Sequence, residues 1–251
     1  MKRMYAVIGG SGLSQLPEFE VTRRQVQRTP YGEPSGALTF GTLAGTEIVF
    51  LARHGYGHTI APHEINYRAN IWALSQVEVD GIVAVASVGG IRSDLMPGHL
   101  MIPDQIIDYT HGRGATFFEG QEEPVQHIDF TWPYDNALRT ALAHAANSIN
   151  EEVVSGGCYA CTQGPRLETA AEIKRLARDG ADIVGMTGMP EASLARELGI
   201  PYAHLALVVN QAAGVGDSAL EISHAEITRT VQDGMGRVLG ILKSLVQLQH
   251  E

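Results

Sequence analysis

Several polar residues sit where apolar runs end. Arg53-His54 follows Ile48–Ala52 and precedes Gly55. Arginine keeps its charge, and its planar fork matches phosphate oxygens. An Arg-His pair beside glycines therefore suits an anion, although a surface loop is the ordinary alternative. Ser11 lies in Gly9-Gly10-Ser11-Gly12 after the run Met4–Ile8. Such a loop offers amides and a hydroxyl to an oxyanion, or is a plain tight turn. Ser87 ends the run from Gly81 to Val88, and Asn210 ends Pro201–Val209. Glu168 and Thr187 stand where two extended runs lead into two helical ones. A solvated charge for Glu168 and a loop-starting Asn210 are the ordinary alternatives.

The elements around these residues read as alternating strand and helix. Tyr159–Thr162 is extended, and Gln163-Gly164-Pro165-Arg166 is a turn. Thr169 and Glu172 have capping-box spacing before a helix over Ala170–Arg178, stopped by Gly180. Ala181–Met186 is a further strand, and Pro190 suits the first turn of another helix. Ligands in α/β proteins collect outside the carboxyl ends of strands, and helix starts favour anions.

Elsewhere, Leu38–Phe40 and Ile48–Ala52 read as strands, Ile65–Val77 as a helix and Leu100–Asp108 as one strand. Tyr134–Ile149 is a helix rich in Ala and Leu. Ser223-His224-Ala225-Glu226 has capping-box spacing, placing His224 in the first turn of a long final helix. Residues 110–132 show no period and are long for a structureless connection, which points to function or an interface. His58 and His63 read as structural.

The chain of 251 residues carries a formal charge of −10 and is 44% hydrophobic. That balance argues against a nucleic-acid partner, and no apolar run is long enough for a membrane span. Cys158 and Cys161 have C-x-x-C spacing but fall on a strand, with no second pair to complete a zinc site. Two buried, reduced thiols are expected, in keeping with a cytoplasmic protein. The glycine loop lacks the third glycine of a dinucleotide fingerprint, which counts against a dehydrogenase.

GPRLETAAE followed by ADIVGMTGMPEA resembles the nucleoside phosphorylase family, in its methylthioadenosine and purine nucleoside phosphorylase branch. VIGGSGL, LARHG, NYRANIWAL, PDQIIDYT and LALVVN extend the resemblance in one order along the chain. It implies a single domain over residues 1–251, with a mixed, partly barrel-like sheet surrounded by helices. The implied activity is phosphorolysis of an N-glycosidic bond, giving a free purine and a sugar 1-phosphate. Inorganic phosphate is then a co-substrate, and no metal or organic cofactor is expected. The assembly implied is a homotrimer, with residues 110–132 at the interface.

The resemblance also assigns residues. Ser11, Arg53, His54, Ser87 and Thr187 would form the phosphate shell. Leu167 and Val184 would line the base pocket, Gly185 would be among the substrate-binding residues, and Met186 would sit by the ribose face. His127 would approach the 5′ end of a neighbouring subunit's sugar, and His224 would read a 5′-hydroxyl. Catalysis would rest on Asn210, Glu168 and His54. Relatives often carry Thr where Ala86 stands and Phe where Leu167 stands. Adenine-selective relatives place Asp at the positions of Asn210 and Ala212 and lack a glutamate at that of Glu168. A 6-oxopurine preference follows, covering S-methyl-5′-thioinosine, inosine and guanosine. The rival is an adenine-type methylthioadenosine phosphorylase.

Overall fold

The computed structural model describes residues 4–10, 13, 18–120 and 124–248. The expected Ser11 contact lies outside them. Among the described residues, eleven strands form one mixed sheet with five α-helices against its faces.

Four strands make one wing: β1 (Tyr5–Gly9), β2 (Glu20–Gln25), β3 (Leu38–Leu43) and β4 (Thr46–Ala52). The centre is β5 (Gly81–Gly90) beside β11 (Tyr202–Gln211), both almost wholly buried. Helices cover both faces of these strands, so continuous apolar runs replace alternation. The other wing holds β7 (Gln105–Asp108), β9 (Cys158–Cys161) and β10 (Ile183–Gly185). β6 (Leu100–Ile102) pairs β11 and β8 (Val153–Ser155). The sheet stays open, with β2 and β7 at the ends of its main path.

β5 organises this topology. β11 runs parallel to it from Ile82 to Gly90 and takes one of its two edges. β1 takes the other edge only over Gly81–Ala84, and β10 takes it again, antiparallel, at Gly89 and Gly90. Between them, among the described residues, no strand pairs with Val85–Val88 on that side. A gap is left in the middle of the sheet, at the carboxyl end of β1.

The helices divide the core. α1 (Tyr67–Ser75) and α4 (Glu191–Glu197) pack on the face that carries Ile82, Ala84, Tyr202, Ala206 and Val208. α2 (Asn136–Ser148) and α5 (His224–Leu248) cover the opposite face, with Val83, Val85, Leu205 and Leu207. α3 (Ala170–Arg178) sets Ile173 and Leu176 against Ala160, Val184 and Ala212. Its capping box is complete, with Glu172 N bonded to Thr169 Oγ1 and Thr169 N to Glu172 Oε2. α5 has its fully buried residues from Gly234 onward, while in its first turns Ile227 and Val231 pack against the core only partly buried.

Four expectations need correction. The single strand over Leu100–Asp108 is two strands, β6 and β7. Pro103 supplies no ladder N–H, and the amides of Asp104 and Gln105 both turn to Gly157 O. The proline expected in the first turn of α4 is its N-cap, Pro190. At α5, Ser223 Oγ accepts from Glu226 N, so one half of the expected box is present. Cys158 is only partly buried, whereas Cys161 is fully buried. The two thiols lie three residues apart on one strand and so project to opposite faces. Burial pushes them up to about 11 and about 12, keeping both protonated at neutral pH.

His204 stands on β11 among the rings of Tyr134, Tyr159 and Tyr202. It is fully buried, and desolvation, reinforced by Arg53, lowers its pKa to about 3. The unfolded chain therefore binds a proton there from about pH 6.5 downward while the native state does not, so stability falls on acidification. Replacing His204→Phe removes that difference. Chemical denaturation should show the variant losing about 2 kcal/mol less than wild type between pH 7.5 and pH 5. Equal acid sensitivity would mean that His204 is not held neutral.

Candidate functional site

The gap beside Val85–Val88 opens into a cavity of about 580 Å³. Strand ends build most of its wall: Gly10 after β1, Arg53 and His54 after β4, and Ala86–Gly89 of β5. Gly185, Met186 and Thr187 join from the end of β10, and Val209 and Asn210 from β11. Pro165, Leu167 and Glu168 come from the turn before α3, and His224, Ile227 and Val231 from the first turns of α5. The cavity thus gathers Arg53, His54, Ser87, Leu167, Glu168, Val184, Gly185, Met186, Thr187, Asn210 and His224. His127 is exposed and does not line it in its own chain.

Arg53 is fully buried. Its Nε and Nη2 donate to Glu191 Oε2 and Oε1 at 2.7 and 2.8 Å, and its Nη1 donates to Val85 O at 2.9 Å. The guanidinium thus binds the β5 edge that no strand covers. Tyr202 Oη donates to Glu191 Oε1 at 2.9 Å. Burial works against the charge on Arg53, but Glu191 outweighs it and holds the guanidinium charged beyond the ordinary arginine range. Nη1 and Nη2 each keep one further hydrogen.

His54 is buried, and burial, with Arg53 nearby, lowers its pKa to about 4. At neutral pH the ring is uncharged. Its Nδ1 lies 2.8 Å from Ile60 O, a carbonyl that can only accept, so Nδ1 carries the hydrogen. Nε2 is then an acceptor. It suits an oxyanion that still bears a proton, such as monoprotonated phosphate, and cannot act as a cation.

Two groups can read a planar heterocycle. Thr162 Oγ1 donates to Glu168 Oε1 at 2.6 Å, leaving Oε2 to accept from a ligand N–H. Asn210 Nδ2 donates to Gln211 O at 2.6 Å, which orients the amide. β11 carries a bulge between Val208 and Asn210, so Asn210 pairs with Gly89 out of the earlier register. Gly185 must be glycine here: a Cβ would lie 2.2 Å from Tyr159 Oη. Tyr159 Oη in turn accepts from Thr187 N at 3.4 Å, at the cavity floor.

Several participants were not legible in the sequence. His58, read as structural, lines the cavity, with its ring 4.4 Å from that of His54. Thr59–Pro62 form a wall in the loop that ties Ile60 O to His54. Glu191 went unnoticed as the partner of Arg53; the acid in the first turn of α4 was its only local signal. Among the described residues, no group of three or more His, Cys, Asp or Glu is placed to hold a metal ion.

Breaking one side of a buried ion pair strands a charge. Glu191→Ala should lower stability by about 3–5 kcal/mol in urea unfolding. Glu191→Gln, which retains a hydrogen-bond acceptor for the guanidinium, should lose less. Equal losses would remove the charge of Glu191 from the argument.

Comparison with known proteins agrees with this geometry. A family model described as "Phosphorylase superfamily" matches residues 4–247. A probable S-methyl-5′-thioinosine phosphorylase from Pseudomonas syringae pv. tomato is 54% identical, over 95% of this chain and 96% of its own length. A 6-oxopurine nucleoside phosphorylase from Pyrococcus furiosus is 44% identical, over 97% and 92%. Among solved structures, a methylthioadenosine phosphorylase from Schistosoma mansoni bound to adenine superposes with a TM-score of 0.93. It is 30% identical and is matched over 99% of this chain and 92% of its own. The chain belongs to the phosphorylase superfamily.

Proposed function

We propose that the chain is a purine nucleoside phosphorylase. It would cleave the N-glycosidic bond of 6-oxopurine nucleosides with inorganic phosphate, acting on S-methyl-5′-thioinosine, inosine and guanosine in purine salvage. The observation that carries the reading is the meeting in one cavity of Glu168, from the turn before α3, and Asn210, from the end of β11, beside Arg53, His54, Ser87 and Thr187. Phosphate oxygen attacks C1′ as the C1′–N9 bond breaks, and the bonding pair leaves on the purine. Arg53, His54, Ser87 and Thr187, with Ser11, hold phosphate below the sugar. Met186 lies at the ribose face, and Leu167, Val184 and Gly185 flank the base.

Glu168 accepts from N1–H, which a 6-oxopurine carries and adenine lacks. Asn210 donates to O6 as negative charge develops on the base, and its carbonyl accepts from N7–H once N7 has taken a proton from solvent, so that the purine leaves neutral. Catalysis is then positioning plus electrostatic stabilisation. The likeness to methylthioadenosine phosphorylases keeps the adenine-type reading as the rival. Against it stand Asn210 and Ala212, where that reading requires acids to meet the adenine amino group and N7.

His127 supports an assembly in which a neighbouring copy completes the site. It is exposed in its own chain, in the segment that also exposes Val125 and Trp132. A homotrimer fits this arrangement, as does a cytoplasmic setting for two protonated thiols.

A panel of inosine, guanosine, adenosine, methylthioinosine and methylthioadenosine, each with and without phosphate, tests the activity. Base release should require phosphate and favour the 6-oxopurines by roughly ten- to a hundredfold, the cost of one mismatched buried hydrogen bond. Asn210→Asp should move the preference toward adenine. Faster cleavage of methylthioadenosine than of methylthioinosine by the wild type would refute the assignment of Glu168 and Asn210.

The 5′ group falls to His224, on the exposed first turn of α5 at the cavity mouth. Its imidazole can bond a 5′-hydroxyl, whereas a thioether cannot donate in return. His224→Val should lower kcat/KM for inosine about tenfold and spare methylthioinosine. An equal fall for both substrates would show that His224 does not read the 5′ position.

A further inference from the structure

Arg113 does not itself line the cavity, yet its guanidinium ties together three segments around it, two directly and one through Tyr67. Nη2 donates to Gln163 O at 2.9 Å and Thr162 O at 3.4 Å, and Nε donates to Gln163 Oε1 at 3.3 Å. Nη1 shares its two hydrogens among Met186 O at 2.9 Å, Met189 O at 2.5 Å and Tyr67 Oη at 3.1 Å. Tyr67 Oη passes its own hydrogen to Pro62 O at 2.8 Å. The ring of Tyr67 also lies 5.2 Å from the Arg113 guanidinium carbon.

The three segments have different duties under the function proposed above. Thr162 and Gln163 lead into the turn that carries Glu168, and the hydroxyl of Thr162 holds the Glu168 carboxylate. Met186 and Met189 bracket Thr187. Pro62 closes the loop whose Ile60 carbonyl fixes His54. Base recognition lies on the first segment, phosphate recognition on the second and third. None of the ion pairs among the described residues includes Arg113. Its charge is met by neutral oxygens from segments far apart in sequence. A rigid fork is the side chain suited to that task, since lysine presents a single point of charge.

We propose that Arg113 is a positioning residue that sets the base and phosphate subsites at their working separation. The proposal rests on the phosphorylase reading. Its distinguishing feature is that one substitution should disturb two ligands that Arg113 does not touch. A change at Glu168 should affect the base alone.

The test is calorimetric binding of phosphate and of hypoxanthine, each titrated separately, to wild type, Arg113→Ala and Arg113→Lys, with steady-state KM values for phosphate and inosine alongside. Both affinities should weaken, and both KM values rise, about tenfold or more in either variant, as expected when recognition groups shift by a fraction of an ångström. Guanidinium at concentrations well below denaturing should restore Arg113→Ala toward wild type, because Arg113 is only partly buried and its site is open to solvent. If Arg113→Ala does not fold, Arg113→Lys decides on the same affinities. A fall in kcat with both affinities and both KM values unchanged would overturn the proposal, as would loss of one affinity alone. Absence of phosphate and hypoxanthine binding in the wild type would instead overturn the function on which the proposal rests.

Discussion

The ion pair of Arg53 and Glu191 is the constraint on which the site depends. Both side chains are fully buried, and burying two charges is costly unless their geometry is good. Here two parallel hydrogen bonds join them, Tyr202 adds a third to the carboxylate, and Val85 O takes a further guanidinium hydrogen. The pair ties β4, β5, β11 and the start of α4 to one point. It also decides the electrostatics of the cavity. The charge of Arg53 is matched by Glu191, and His54 is neutral at working pH. An oxyanion there meets oriented donors more than net positive charge, consistent with a chain whose overall charge is −10.

The gap in the sheet explains why that point is also a cavity. Had β1 continued past Ala84 along β5, or β10 begun earlier, the edge at Val85–Val88 would carry ladder hydrogen bonds and no ligand could enter. Instead β1 stops at a glycine and β10 returns antiparallel only at Gly89. Several strands then end around one opening, so their terminal residues converge although they lie far apart in sequence. Arg53 and Glu191 are separated by 138 positions.

That convergence sets what the sequence could reveal. Residues at the ends of apolar runs were legible one by one: Arg53, Ser87, Glu168, Thr187 and Asn210 all stand where period and composition change, and all line the cavity. The capping box at Thr169 was equally plain, because its chemistry is local. Pairings were not legible. Nothing near Glu191 announces a buried arginine, and nothing near Arg113 announces carbonyls of two other loops. β2 was invisible for another reason. It is an exposed edge strand, Glu20–Gln25, with two arginines, and Arg23 stacks 3.5 Å over Phe40, so it has no buried face to give it a period. Leu100–Asp108 looked continuous because hydrophobicity does not register that the two halves pair with different neighbours.

The final helix joins the cavity in an unusual way. From Gly234 to its end its inner face is buried in the core, whereas in its first turns His224 is exposed and Ile227 and Val231 pack against the core only partly buried. The cavity therefore has one wall of mostly buried strand ends and one whose residues are more lightly packed. Amides in those first turns should exchange with solvent well before those of the anchored half. Substitution of exposed His224 should cost less folding free energy than substitution on the buried strand-end wall. Drift in what the mouth of the cavity accepts is thus decoupled from the chemistry at its floor, and such a fold can change its clientele without relearning its reaction.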